Sequence, residues 1–415
     1  MVPHTSKKRL AYLVSEYPAI SHTFIFREIQ ALRGLGFDVK TTSILKPKKL
    51  DKMTADERKD ASKTYYIKSI RLIRIIHIHF LLLFKSPIRY IGMFIKAFLL
   101  SRKGPVNLIK MLGYIAEAGI LCHWMKKNNL KHVHVHFANP ASTVAMIAQS
   151  YGQITYSLSV HGPDIFYNVN ANLLHEKIKS ASAIRCISYY CQSQLMKIVP
   201  YTYWAKFHII RCGIDPMVFS PRKDPGNNVP QILCIGRLVP AKGQHILLEA
   251  CACLKTRNIK HHLYIVGDGE DRESLEQHVK ELNLEDSVTF TGALGQDDVH
   301  RYYNDADIFV LPSFAEGLPV VLMEAMGKQI PCITSRITGI PELISDGHDG
   351  MLFAPSDVMD LVEKLKRLIK NPCLGNKLGV CGRKKVTAYF DLNKNCIQMA
   401  DFFNTALFQD HHVNY

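Results

Sequence analysis

Short apolar runs alternate along this chain with longer amphipathic stretches. Leu10–Val14 is apolar, Ser15–Ser21 is polar, and an amphipathic stretch then runs to about Leu35, where Gly34 and Gly36 predict the end of a helix. A second apolar run follows near Val39–Ile44. Strand, helix and strand at this spacing form the unit of a parallel α/β sheet. Later strands are predicted at Val133–Phe137, Ile154–Val160, Ala183–Ile187 and Phe207–Ile210. Pro216–Pro230 is rich in Pro, Asn, Gly and charge and reads as a linker.

A second series begins beyond it. The pattern predicts strands at Gln231–Ile235, His262–Val266, Val288–Thr291, Ile308–Leu311 and Pro331–Thr334. Between and after them it predicts helices at His245–Thr256, Arg272–Leu282, Pro319–Met326 and Val358–Ile369. A last helical pattern covers Asn393–Phe408. The 415 residues exceed one comfortable core, and two domains of about 200 residues each are the natural expectation. The expected division is an N-terminal domain over 1–215, a second over 216–390, and a C-terminal helix in 391–415 that packs back toward the first. Two doubly wound α/β domains joined by a linker predict a ligand cleft between them, at strand C-terminal ends.

Charge separates the halves. Residues 1–220 hold 31 Lys/Arg against 11 Asp/Glu, a net +20, while 221–415 hold 21 against 25, a net −4. No acid occurs between Asp60 and Glu117, yet ten Lys/Arg lie from Lys63 to Lys110, interleaved with Ile70, Leu72, Ile73, Ile75 and Ile76, then Ile91, Met93, Phe94, Ile95, Phe98 and Leu99. Basic amphipathic helices of this kind bind anionic lipid surfaces, although a solvated face on a core helix has the same composition. Segment 63–110 is therefore expected to meet an anionic membrane surface. Arg74, His77 and His79 interrupt Leu72–Phe84, and Arg89 and Lys96 interrupt Ile88–Leu100, so neither reaches the ~20 apolar residues of a spanning helix. No nucleic-acid-binding module is matched, and none is expected as partner. Eleven scattered cysteines without a CxxC pair, and a polar, basic Met1–Arg9, favour a reducing cytosol and a peripheral place on the inner face of the plasma membrane.

Four side chains of the second half could carry chemistry. Arg237 and Lys242 follow strand Gln231–Ile235 in Gly236-Arg-Leu-Val-Pro-Ala-Lys-Gly243. A planar guanidinium and a mobile ammonium suit a diphosphate, and two solvated surface charges are the plainer alternative. Glu316 precedes the helix that Pro319 opens, and Glu324 sits inside the apolar stretch Val320–Ala325. A carboxylate there needs a partner, which a ribose with two vicinal hydroxyls or a neighbouring backbone could be. The helix N-terminus near Gly317–Val320 could receive a phosphate or sugar.

These runs, with Val266-Gly-Asp-Gly-Glu270, Phe314-Ala-Glu-Gly-Leu-Pro-Val-Val-Leu-Met-Glu324 and Gly339-Ile-Pro-Glu-Leu343, resemble family 4 of the retaining glycosyltransferases. The resemblance covers most of the second domain with four motifs in order. It implies the GT-B architecture, two Rossmann-like domains with the active site in the inter-domain cleft, and an E-x7-E signature at Glu316 and Glu324. It implies that Arg237 and Lys242 grip a donor diphosphate and that Glu324 holds ribose hydroxyls. Glu316 would contact the transferred sugar together with the amides of Gly317 and Leu318, and the Gly267–Gly269 loop would lie near the nucleoside. His161-Gly-Pro-Asp164 is similar to the family's His-Gly-x-Asp segment, whose His lies beside the reacting sugar.

The first loop departs from the family's usual Gly-Gly pair. Ser15-Glu-Tyr-Pro-Ala-Ile-Ser-His-Thr-Phe24 is similar to a subgroup of exopolysaccharide and colanic-acid-type transferases with Pro-x-x-Ser-x-Thr-Phe. Ser21, Thr23, His136 and Asp164 are the acceptor-side candidates, and helix N-capping would also account for Ser21 and Thr23. His132, His134 and His136 alternate along one strand, but like-facing strand residues ~7 Å apart make a poor set of ligands for one ion. Asp305-Ala-Asp307 looks like a DxD metal motif and reads as structural where a helix hands over to a strand.

The expected reaction is a metal-independent, cofactor-free transfer of a hexose or N-acetylhexosamine from a UDP- or GDP-sugar to a lipid-linked saccharide or polysaccharide, with retention. The partners are then a nucleotide-sugar donor and a lipid-linked saccharide acceptor. A non-hydrolysing nucleotide-sugar epimerase of the same fold, or an inactive nucleotide-sugar-binding protein at a membrane surface, are the alternatives.

Overall fold

The computed structural model describes residues 8–408 apart from 20–21, 49, 103–107, 153, 163–168, 171 and 224–225. The chain forms two compact units. Met1–Leu50, Ala55–Ile210 and Cys396–Tyr415 make the first, and Asp51–Thr54 with Arg211–Asn395 make the second.

Seven parallel strands build the sheet of the first unit: β1 Arg9–Glu16, β2 Asp38–Leu45, β3 Tyr65–Tyr66, β4 His132–His136, β5 Thr155–Val160, β6 Ile184–Cys186 and β7 Phe207–Ile209. Their order is β3-β2-β1-β4-β5-β6-β7. The direction of winding reverses between β1 and β4, and beyond the carboxyl ends of such a pair an α/β sheet opens a crevice for ligands. The helices before β6 that matter here are α1 Thr23–Gly34, α2 Ala55–Lys63, α3 Leu72–Lys85, α4 Pro87–Ser101, α5 Leu108–Lys127 and α6 Pro140–Gln149. Ile25, Ile29 and Leu32 of α1 pack with Leu10, Tyr12 and Val14 of β1. Met399, Phe402 and Phe403 of the helix Leu392–Phe408 join the same core.

Six parallel strands build the second sheet: β8 Gln231–Ile235, β9 His262–Val266, β10 Val288–Gly292, β11 Ile308–Leu311, β12 Cys332–Ser335 and β13 Met351–Phe353. The order β10-β9-β8-β11-β12-β13 puts its reversal between β8 and β11. Central strands such as Ile308–Leu311 are buried along their whole length, as strands covered on both faces must be.

Strand positions agree with the apolar runs to within one or two residues. The two edge strands β3 and β13, two and three residues long, are too short to carry a period and escape sequence reading. The helix Pro372–Tyr389 also escapes it, because its buried side holds Gly375, Gly379 and Gly382. Pro87 separates α3 from α4: a proline restricts the residue before it, Ser86 leaves the helical region, and the two axes meet at 116°. Among the described residues, no single helix is long and apolar enough to cross a membrane.

Candidate active site

In the second unit, the expected donor residues gather at the β8/β11 reversal. The turn after β8 carries Arg237 and Lys242, and the turn after β11 carries Ser313 and Glu316. The Lys242 ammonium donates to Glu316 Oε1, and Ser313 Oγ donates to the same oxygen at 2.7 Å. Thr338 Oγ1 donates to the backbone carbonyl of Glu316, which fixes the residue from its other side. Glu316 is 6% exposed, so its charge depends on these donors. Its Oε2 pairs with none of the described residues. Arg237 is exposed, and its guanidinium likewise has no partner among them.

Pro319 is the N-cap of the helix Val320–Gly327, preceded by the buried residues Gly317 and Leu318. Among the described residues the amides of Gly317 and Leu318 find no acceptor. Glu324 lies on the buried side of this helix, and Tyr303 Oη donates to its Oε2 at 2.9 Å. The polar partner demanded by a carboxylate in an apolar stretch is therefore, in part, a tyrosine. Gly267 and Gly269 follow β9. Gly267 has φ 148°, and a Cβ there would strike the carbonyl of Gly236, while one on Gly269 would strike that of Leu238. Only glycine lets this loop lie against the Arg237 turn. Asp307 of the DxD-like segment accepts from Gln231 N at 2.8 Å and Asn227 Nδ2 at 2.9 Å, and so anchors the start of β8.

The first unit brings its candidates together at the ends of β4 and β5. His161 follows β5, and its Nε2 lies 2.8 Å from His136 Nδ1. Phe24 and Phe137 pack on the His161 ring with centroids 5.0 and 4.9 Å away. Phe137 has φ 72°, a conformation side chains rarely adopt. The turn is held by Lys177, whose buried ammonium donates to the carbonyls of Ala138 and Asn139 at 3.0 and 2.9 Å. Burial, then His136 and Arg185, push the imidazolium of His161 well below its ordinary range.

Two expectations change here. His136 is 0% exposed and fully enclosed, so it stands behind His161 and offers no surface to an acceptor. Thr23 opens α1, but the N-cap is His22 and makes no side-chain capping bond, so capping by Thr23 does not occur. Ser21 and Asp164 lie outside the described residues. The histidine row of β4 is bonded to the facing hydroxyls of β5: His132 reaches Thr155 and Ser157 at 2.8 Å each, and His134 reaches Ser157 at 2.8 Å and Ser159 at 2.7 Å. Glu28, His134 and His136 place ligand atoms within 4.8 Å of one another. Both His134 nitrogens are already hydrogen-bonded, and the Arg185 guanidinium sits on Glu28. A cation would have to displace that guanidinium, so the group reads as a hydrogen-bonded network.

Glu28, Arg185, Ser313, Tyr303 and Thr338 are the residues that sequence reasoning missed. Glu28 carried a usable signal: it falls on the apolar stripe Ile25, Ile29 and Leu32, where an acid demands a partner.

Residues 219–385 match the family described as Glycosyl transferases group 1. The amylovoran biosynthesis glycosyltransferase AmsK of Erwinia amylovora is 26% identical, over 95% of this chain and 98% of its own length. The putative colanic acid biosynthesis glycosyltransferase WcaL of Salmonella typhimurium is 25% identical, over 86% of this chain and 89% of its own. Among solved structures, sucrose-phosphate synthase from Thermosynechococcus elongatus has a TM-score of 0.75 at 18% identity, covering 96% of this chain and 99% of its own. Anabaena HepE, solved with UDP and glucose, has a TM-score of 0.73 at 15% identity, covering 96% and 100%. Both are GT-B glycosyltransferases, and the likeness establishes the fold.

Proposed function

The chain carries a glycosyl transferases group 1 domain over residues 219–385, and on that premise we propose that it moves a hexose or N-acetylhexosamine from a UDP- or GDP-sugar to a lipid-linked saccharide or polysaccharide, with retention of configuration. The observation that carries this reading is the Lys242–Glu316 pair at the β8/β11 reversal, with Arg237 on the adjoining turn. Arg237 and Lys242 take the two phosphates of the donor, and Glu316 Oε2 with the Gly317 and Leu318 amides takes hydroxyls of the sugar. Glu324 receives the ribose, and the Gly267–Gly269 loop borders the nucleoside.

In the transfer, the bond from the anomeric carbon to the diphosphate breaks while the acceptor oxygen bonds to that carbon from the same face. The acceptor's proton passes to the departing diphosphate, whose charge Arg237 and Lys242 neutralise. His161, held neutral by burial, orients a hydroxyl of the reacting sugar. No metal or cofactor takes part. The relatives AmsK and WcaL are named for amylovoran and colanic acid biosynthesis, which supports a polysaccharide product. The complexes of HepE with UDP and UDP-glucose support trying UDP-sugars first.

The acceptor's lipid would be reached at the anionic inner face of a membrane. Support comes from α3 and α4, whose Ile73, Ile76, Phe80, Phe84, Ile88, Ile95 and Phe98 are exposed beside Arg74, Lys85, Arg89 and Lys96. An apolar groove of about 370 Å³ runs among α3, α4 and α5, lined by Ile76, Phe80, Leu83, Phe94 and Leu112.

A panel of UDP- and GDP-sugars tested for protection against thermal unfolding decides the central point. A bound donor at 100 times its Kd stabilises by about 2.7 kcal/mol. Absence of any shift with every nucleotide sugar would overturn the proposal.

A further inference from the structure

Behind His161 the first unit buries a row of ionisable side chains that substrate does not touch. Arg185 Nε donates to the carbonyl of Ile210 at 2.8 Å, and its NH1 donates to Glu28 Oε2 at 2.5 Å. Tyr12 Oη donates to Glu28 Oε1 at 2.8 Å, and His136 Nε2 stands 3.3 Å from that same oxygen. His136 Nδ1 then meets His161 Nε2 at 2.8 Å, with the rings 19° from parallel. Exposure rises along the row, from 2% at Arg185 and 3% at Glu28 through 0% at His136 to 7% at His161. Well-packed apolar side chains are often as stabilising as a buried ion pair, so stability alone gives no reason for this row.

The contacts dictate where the protons sit. Burial pulls Glu28 upward, but Arg185 and then His136 outweigh it and hold the carboxyl well below its usual range, so Glu28 is an anion. Burial lowers His136 and His161, and both rings are neutral near pH 7 with one N–H each. A lone pair on His136 Nε2 would face the Glu28 carboxylate, so that nitrogen carries the hydrogen. His136 Nδ1 is then an acceptor, and the hydrogen of the 2.8 Å contact belongs to His161 Nε2. The charged and titratable groups that face His161 are His136 and His134 of β4, Arg185 of β6 and Glu28 of α1.

We infer that Glu28 and His136 are positioning residues that lock His161 as its Nε2–H tautomer, with Nε2 donating to His136 Nδ1 and the Nδ1 edge carrying the lone pair. The inference rests on the proposed role of His161 beside the reacting sugar for its effect on turnover, and on contacts within the first unit for the tautomer itself. Glu28 fixes the proton on His136, and His136 fixes it on His161. Removing either member leaves the His161 ring free to exchange tautomers and to turn.

The test uses the full chain labelled with 15N-histidine. Two-bond proton–nitrogen spectra near pH 7 report each ring's tautomer, and the His161 signals are identified by their loss in His161→Gln. Wild type is expected to show His161 as Nε2–H. His136→Asn keeps an acceptor oxygen about where Nδ1 stood and retains that tautomer. His136→Phe yields a mixture and lowers kcat by ~10–100-fold, with KM for the nucleotide sugar within about twofold of wild type. A wild-type His161 protonated on Nδ1 overturns the inference, as does His136→Phe with unchanged tautomer and unchanged kcat. If no sugar transfer is found with any donor, only the proposed reaction fails, because the spectra still decide the tautomer.

Discussion

Lys242 and Glu316 lie 74 positions apart in sequence, and their charged groups meet where strands β8 and β11 end side by side. Glu316 is enclosed, so the ammonium orients the carboxylate as well as adding charge for a ligand. Lys242→Ala leaves Glu316 Oε1 with Ser313 as its remaining donor. Loss of a charged partner from a buried group costs about 1–3 kcal/mol. Loss of one preorganised contact to developing charge lowers kcat by roughly 10²–10³. Denaturant unfolding and steady-state kinetics read the two effects separately. The double variant Lys242→Ala/Glu316→Ala should be more stable than the sum of the single losses, by about 0.5 kcal/mol or more, since the second change removes the stranded charge.

Tyr303 and Glu324 make a second linked pair. Tyr303 is 0% exposed and stacks near Phe309, so Tyr303→Phe keeps the packing and deletes only the hydroxyl. Its expected cost is about 1–2 kcal/mol, from a buried carboxylate with one donor fewer. If Glu324 holds ribose, the variant raises KM for the nucleotide sugar by several-fold and changes kcat little, as loss of uniform binding does. A fall in kcat at constant KM would assign Glu324 to the reacting centre.

Stability of the first unit should fall on mild acidification. Burial lowers His132 to about 3, against an ordinary 6.5. Burial also lowers His134, His136 and His161. Between the folded and ordinary values the unfolded chain binds a proton that the folded chain refuses. The stability these groups supply is therefore complete above about pH 6.5 and is lost as pH drops toward 3. Glu28 acts in the same direction in a lower window, because its folded value lies below the usual 4.5. One fully refused proton corresponds to about 1.4 kcal/mol per pH unit. Urea unfolding at several pH values between 7.5 and 5 should show that slope, and His132→Gln should reduce it by up to one proton's share.

The donor side was readable because its chemistry sits on strand ends that apolar runs locate to within a residue or two. Arg237, Lys242 and Glu316 each follow such an end, and the turn glycines Gly267 and Gly269 are where backbones touch. What sequence could not supply was strand order, since the β8/β11 neighbourhood that joins Lys242 to Glu316 is a matter of topology. For the same reason Arg185 and Glu28, 157 positions apart, gave no sign of each other. His136 was misplaced because alternation along β4 reports a shared face, and burial on that face depends on which helices cover it.

The outward face of α3 is as apolar as its inward one, which sets up a last prediction. Ile78 and Leu82 face the core, while Ile73, Ile76 and Phe80 are 77%, 61% and 58% exposed. Apolar side chains on both faces leave the outer row without a partner in this chain, and cations flank it at Arg74 and Lys85. Near an anionic bilayer each Lys or Arg contributes about 1 kcal/mol, and apolar side chains add burial in the interface. The protein should therefore float with vesicles containing phosphatidylglycerol at low salt, less at high salt, and little with neutral vesicles. Ile73→Ser/Ile76→Ser/Phe80→Ser should abolish flotation and leave the melting temperature within a few degrees, since these side chains are already in water. Flotation of the triple variant equal to wild type would move the contact to another surface. Indifference of the wild type to anionic vesicles at low salt would sink the membrane reading and leave the donor chemistry untouched.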